Sequence, residues 1–109
     1  MKPLFSVRAT RQIDDIYLFI ARDDLRAAQK VVDRIYEAAE FVTEYPKAGH
    51  ATKREGLRAI PAGSYPYVLY FRWSARDRQV RILRVLHAAR RRPELQDEAS
   101  EFRTAAATS

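Results

Sequence analysis

The sequence contains no cysteine, which excludes disulfides and thiolate metal sites. No apolar run approaches the roughly 20 residues needed to span a bilayer. After Lys2 and Pro3 the first apolar stretch is too short for a signal peptide. A cytoplasmic protein that does not engage a membrane is therefore expected, with no metal site and no cofactor. There is no internal repeat and no interdomain linker, and 109 residues suit one domain with a single core. Acids are scarce in one region in particular. Residues 72–92 hold eight arginines and a single acid, Asp77, within a chain of net charge +6. Most charge runs are solvated faces. Here the near absence of balancing acid points instead to a surface that meets a polyanion or an acidic protein.

What the chain does have is a stretch of two apolar runs joined by a polar turn, YVLYFRWSARDRQVRILRVLHAARRR, from Tyr67 onward. Residues 67–73 and 80–87 read as the strands of a β-hairpin at the centre of a sheet. Alternation assigns two faces. If Trp73 lies opposite Val80, one face collects Tyr67, Leu69, Phe71, Trp73, Val80, Ile82 and Leu86, with Arg84 its only charge, and reads as core. The other collects Val68, Tyr70, Arg72, Arg81, Leu83, Val85 and His87 and reads as a docking surface.

Residues 4–9 alternate and are expected to form an edge strand, with Thr10 as the helix N-cap after it. Ile13, Ile16, Tyr17 and Ile20 share one stripe of a helix over residues 11–21. A second helix, over residues 25–44, carries the seam Ala28, Val31, Ile35, Ala38, Val42 and Tyr45, widened by Val32, Tyr36 and Ala39. Asp23 or Asp24 caps it, and Pro46 and Gly49 stop it. The short link makes the two helices an antiparallel hairpin. Residues 46–56 read as a polar loop with His50, Lys53, Arg54 and Glu55, and residues 57–62 as a strand with Arg58 opposite in face to Leu57 and Ala59. Beyond Pro93, residues 94–103 offer a short helix anchored by Leu95 and Phe102, and residues 104–109 a frayed tail. The expected fold is α+β, in the order β-α-α-β-β-β: an N-terminal strand, a helical hairpin and a three-stranded antiparallel meander, with the helices on one sheet face.

Four blocks carry a family resemblance: DDIYLFIA, AAQKVVDRIYEAAEFVTEYPKAG, GLRAIPAGSYPYVLYFR and ILRVLHAARRRPEL. In this order and spacing they resemble the ParE branch of the RelE/ParE superfamily, the toxic halves of bacterial type II toxin–antitoxin pairs. The resemblance runs from Ala9 to about Leu95, which implies a toxin domain over residues 1–95 and a C-terminal extension over 96–109. It also implies a cognate antitoxin, acidic and DNA-binding, in a hetero-oligomer with the toxin. In ParE relatives the target is DNA gyrase; in RelE relatives it is messenger RNA on the ribosome.

RNA cleavage needs a base for the 2′-hydroxyl, a cation for the phosphate and an acid for the leaving oxygen. His87, Arg58, Arg81 and Lys53 are the candidates. His87 is followed by Ala88, whereas several RelE-branch nucleases carry a tyrosine or a histidine–tyrosine pair near this end, so no catalytic residue is favoured. A histidine that packs or hydrogen bonds at the sheet end is the plainer reading of His87. Tyr65, Tyr67 and Tyr70 are candidates for stacking on bases, though strand aromatics are more often core. The leading expectation is a gyrase poison neutralised by an antitoxin on the basic face. Arg58, Arg72, Arg81 and Arg90, Arg91 and Arg92 would make its charged contacts, around Val68, Tyr70, Leu83, Val85 and His87. An mRNA nuclease and an inactive toxin-like binding module are the alternatives.

Overall fold

Ser6 decides where the chain first turns. Its backbone is extended, and its Oγ accepts a hydrogen bond from the Ala9 N–H at 2.9 Å. It therefore caps helix α1, Val7–Ala21, in the manner serine favours. The strand expected over residues 4–9 is cut to β1, Leu4–Phe5. Thr10, expected as the cap, lies inside the helix, where its Oγ1 donates back to the Ser6 carbonyl at 3.1 Å. The alternation of Phe5, Val7 and Ala9 imitates a strand, but the serine between them satisfies the helix's free donor, and the helix wins. The computed structural model describes residues 2–89. The expected domain boundary, the short helix and the tail lie outside the described residues, as do Arg90, Arg91 and Arg92.

Helix α2, Leu25–Glu44, starts at Asp24, whose carboxylate accepts from the Ala27 N–H at 3.1 Å. Ala28, Val31, Ile35, Ala38, Ala39 and Val42 are buried along it at the spacing the seam predicts. The last member of the predicted seam, Tyr45, lies past the helix end and is exposed, stacked at a tilt against Phe41 at 4.9 Å. Among the described residues no helix is long and apolar enough to cross a membrane.

The helices cover one face of a five-stranded sheet in the order β1-β5-β4-β3-β2. Strand β2 is His50–Ala51, β3 Leu57–Pro61, β4 Tyr67–Ser74 and β5 Gln79–His87. The expected α+β order is present, with a fifth strand, β2, in what reads from sequence as loop. Strands β2 to β5 are antiparallel neighbours, and β1 alone runs parallel to its partner, β5. The core joins Ile13 of α1 and Val31, Ile35 and Val42 of α2 to Leu69, Phe71, Val80, Ile82 and Val85 of the sheet. Each such side chain contributes roughly 1.5–3 kcal/mol by leaving water. Phe5 meets Tyr36 edge-on at 5.4 Å, tying β1 to α2.

Candidate partner-binding surface

One extra residue in β5 decides which side chains a partner can reach. Trp73 lies opposite Val80, as expected, and Phe71 opposite Ile82, but Tyr70 then pairs with Arg84. Leu83 is left with no opposite number, which is a β-bulge. Beyond it every β5 side chain changes face. Val85 now pairs with Leu69 and joins the helix-side core, and His87 pairs with Tyr67 on that same side. Leu86 and Arg84, expected on the core face, pair with Val68 and Tyr70 on the far side. Val85 and His87 therefore do not belong to the docking face assigned from sequence. On that face Tyr70, Leu83 and Leu86 form a second buried cluster with Leu57 and Ala59, against half-buried Val68. No residue of α1 or α2 belongs to it among the described residues.

The arginines have defined local partners. Arg58 pairs with Phe71, which places it on the helix side and not with Tyr70 and Val68. Its guanidinium donates to three successive carbonyls after α2: Lys47 at 2.7 Å, Ala48 at 3.1 Å and Gly49 at 3.3 Å. Arg58 thus clamps the chain where it enters β2. Close by, Gly49 has φ +75, and a Cβ there would fall 2.1 Å from the Ala59 carbonyl oxygen. Arg72 and Arg81 lie directly opposite each other on the far side. Like charges so placed repel, and each also reaches another group. Arg72 donates to the Glu55 carbonyl at 2.7 Å, and Arg81 pairs with Asp77. Arg84 is buried, with Nη1 donating to the Leu83 carbonyl at 2.8 Å.

The four candidates for RNA cleavage are not brought together. Arg81 and His87 stand at opposite ends of β5, six positions apart, which at about 3.3 Å per residue is roughly 17–20 Å. Arg58 faces the helices, and Lys53 is exposed in the loop before β3. His87 is exposed and meets Tyr67 edge-on at 5.6 Å. Its Nδ1 accepts a hydrogen bond from the Ala89 N–H at 3.1 Å, so this nitrogen is occupied by the sheet's own exit turn. Among the described residues no group of three or more histidines and carboxylates is placed to hold a metal ion.

The tyrosines considered for base stacking are spoken for: Tyr67 and Tyr70 are buried, and Tyr65 packs against the core. The aromatic that sequence reasoning misplaced is Trp73. It shares the alternation of Phe71, yet it is 40% exposed because it lies next to the last cross-strand pair, where the sheet ends. The signal was its position beside the polar turn.

The sequence and fold also match known proteins. Residues 4–92 match the family described as ParE toxin of type II toxin-antitoxin system, parDE. A Sinorhizobium fredii (strain NBRC 101917 / NGR234) protein named "Putative toxin Y4kP" is 35% identical over 91 residues, covering 84% of this chain and 92% of that one. "Toxin RelE2" of Caulobacter vibrioides is 37% identical over 86 residues, 76% of this chain and 90% of that one. A solved structure titled "Chromosomal ParDE TA system from P. aeruginosa" superposes with a TM-score of 0.67 at 22% identity, over 80% of this chain and 95% of that one. At that identity the likeness is one of fold.

Proposed function

This chain belongs to the ParE family of type II toxins, and on that premise we propose that it arrests growth in the cytoplasm by poisoning DNA gyrase until a cognate antitoxin binds it. Gyrase poisoning is the mode of the ParE branch that the sequence blocks resemble. The observation that carries the choice is the dispersal of Arg58, Arg81, His87 and Lys53 over both sheet faces and both ends of the hairpin. A protein that works by binding does not need them to converge, whereas cleavage of a single phosphodiester does.

The antitoxin is an acidic chain that lies along the sheet face away from the helices. Its carboxylates meet Arg72 and Arg81 and its apolar side chains meet Val68; Arg90, Arg91 and Arg92, expected from the sequence as further contacts, lie outside the described residues. Relative to the sequence reading, this surface loses Arg58, Val85 and His87 because they face the helix side, and Tyr70 and Leu83 because they are buried. Charge complementarity of this kind speeds encounter and fixes register.

Purified protein incubated with gyrase and supercoiled plasmid tests the target. A trapped, protein-linked cleaved plasmid is the expected result. Unaltered supercoiling with no cleaved product would remove gyrase as the target. Codon-phased cuts on translating ribosomes, lost in His87→Ala, would replace it with the nuclease reading.

A further inference from the structure

The tip of the β4–β5 hairpin combines cations with an exposed aromatic, and its Trp73, Arg76 and Arg78 belong to neither the toxin reading nor the antitoxin surface. From Arg72 to Arg81 the chain carries four arginines and one acid, Asp77. That acid is engaged: Arg81 pairs with it, and the Ser74 hydroxyl donates to its Oδ2 at 3.3 Å. Ser74 also accepts from the Asp77 N–H at 3.3 Å, which fixes the turn. Arg76 and Arg78 stand exposed on that turn. Trp73 is the only large hydrophobic residue of β4 or β5 that is exposed among the described residues.

We propose that this tip binds single-stranded nucleic acid, with the Trp73 indole stacked on an unpaired base and Arg76 and Arg78 holding the flanking phosphates. An aromatic face beside a basic groove is how sequence-tolerant strand binding is built. An acidic peptide fits less well, because a lone exposed indole on this hairpin offers no apolar patch for a side-chain anchor. A duplex fits less well because its bases are already stacked on one another. The site does not depend on the gyrase reading and stands or falls separately.

The sequence has a single tryptophan, so fluorescence excited selectively at tryptophan, beyond tyrosine absorption, reports on this site alone. The full-length protein is titrated with a twelve-residue thymidine oligonucleotide, with the matching duplex and with polyglutamate, at low salt. The expected result is quenching by the single strand alone. Two phosphate contacts give a log–log salt slope of about −1.4. With a fluorescein-labelled strand, anisotropy should show Trp73→Ala weakening binding by about tenfold while Trp73→Phe retains it. Arg76→Gln with Arg78→Asn should weaken it comparably; asparagine suits the positive φ of 52° at Arg78. Circular dichroism checks that each variant is folded. No quenching by the single strand overturns the proposal. So does equal binding of duplex or polyglutamate, or full binding by folded Trp73→Ala.

Discussion

The side-chain carbonyl of Gln12 accepts a hydrogen bond from the Val85 N–H at 2.8 Å, across 73 positions of sequence. Strand β1 is only two residues long and covers Arg81 and Ile82. Past it, β5 would present an unpaired edge. Helix α1 closes that edge with side chains: Ser6 Oγ donates to the Leu83 carbonyl at 2.8 Å, and Gln12 takes the amide of Val85. Gln12→Ala strands a partly buried donor and should cost about 1–3 kcal/mol in urea unfolding, with an unchanged m-value.

Ser6→Ala should cost roughly 2–3 kcal/mol. It removes both the helix cap and the donor to Leu83 from a residue that is 4% exposed. Ser6→Thr keeps the hydroxyl and should recover a large part of the loss, which chemical denaturation of the two variants side by side will measure.

Gly49→Ala should destabilise by about 2–4 kcal/mol, since the new methyl collides with the backbone of Ala59 at a φ of +75. A fall in the thermal midpoint together with loss of hydrogen-exchange protection at His50 and Ala51 is the expected signature.

Arg58→Ala releases three carbonyls that one guanidinium now gathers. The clamp is partly exposed, so the expected loss is modest, about 1–2 kcal/mol. The diagnostic readout is limited trypsin digestion, with faster cleavage after Lys47 and Lys53. Lysine at this position cannot reach all three acceptors in a plane and should rescue only in part.

His87→Ala should leave growth arrest intact when the toxin is induced without antitoxin, because the imidazole is far from Arg81 and Lys53 and acts as an acceptor for Ala89. Colony counts after induction, compared with the unsubstituted chain, measure this. Recovery of growth in a variant that is still folded would restore the histidine to a catalytic role.

Much of this architecture was legible in the residues. The seam of α2 and the order of elements follow from a helical period and from β-branched and aromatic runs, which are strong local signals. The register Trp73↔Val80 follows from the turn length. The bulge was not legible, because nothing in RILRVL marks Leu83: no glycine or proline announces the extra residue. Its side chain is held instead in the second cluster with Leu57 and Tyr70. Strand β2 was hidden for a related reason. His50 and Ala51 have no apolar pattern of their own and are aligned by the Arg58 clamp and Gly49. The candidate site inherited the first error, since alternation without a bulge assigns Val85 and His87 to the wrong face.

The parallel pairing of Leu4 with Arg81 and of Phe5 with Ile82 also sets a clock. The ribosome adds roughly 5–20 residues per second, so the first strand emerges about 4–15 s before the strand it must join. During synthesis the opening residues have no place to dock, and the helical hairpin has no finished platform beneath it. The sheet of this toxin-family chain stays incomplete until β5, Gln79–His87, has been made, so the helical hairpin waits for its platform through most of that interval.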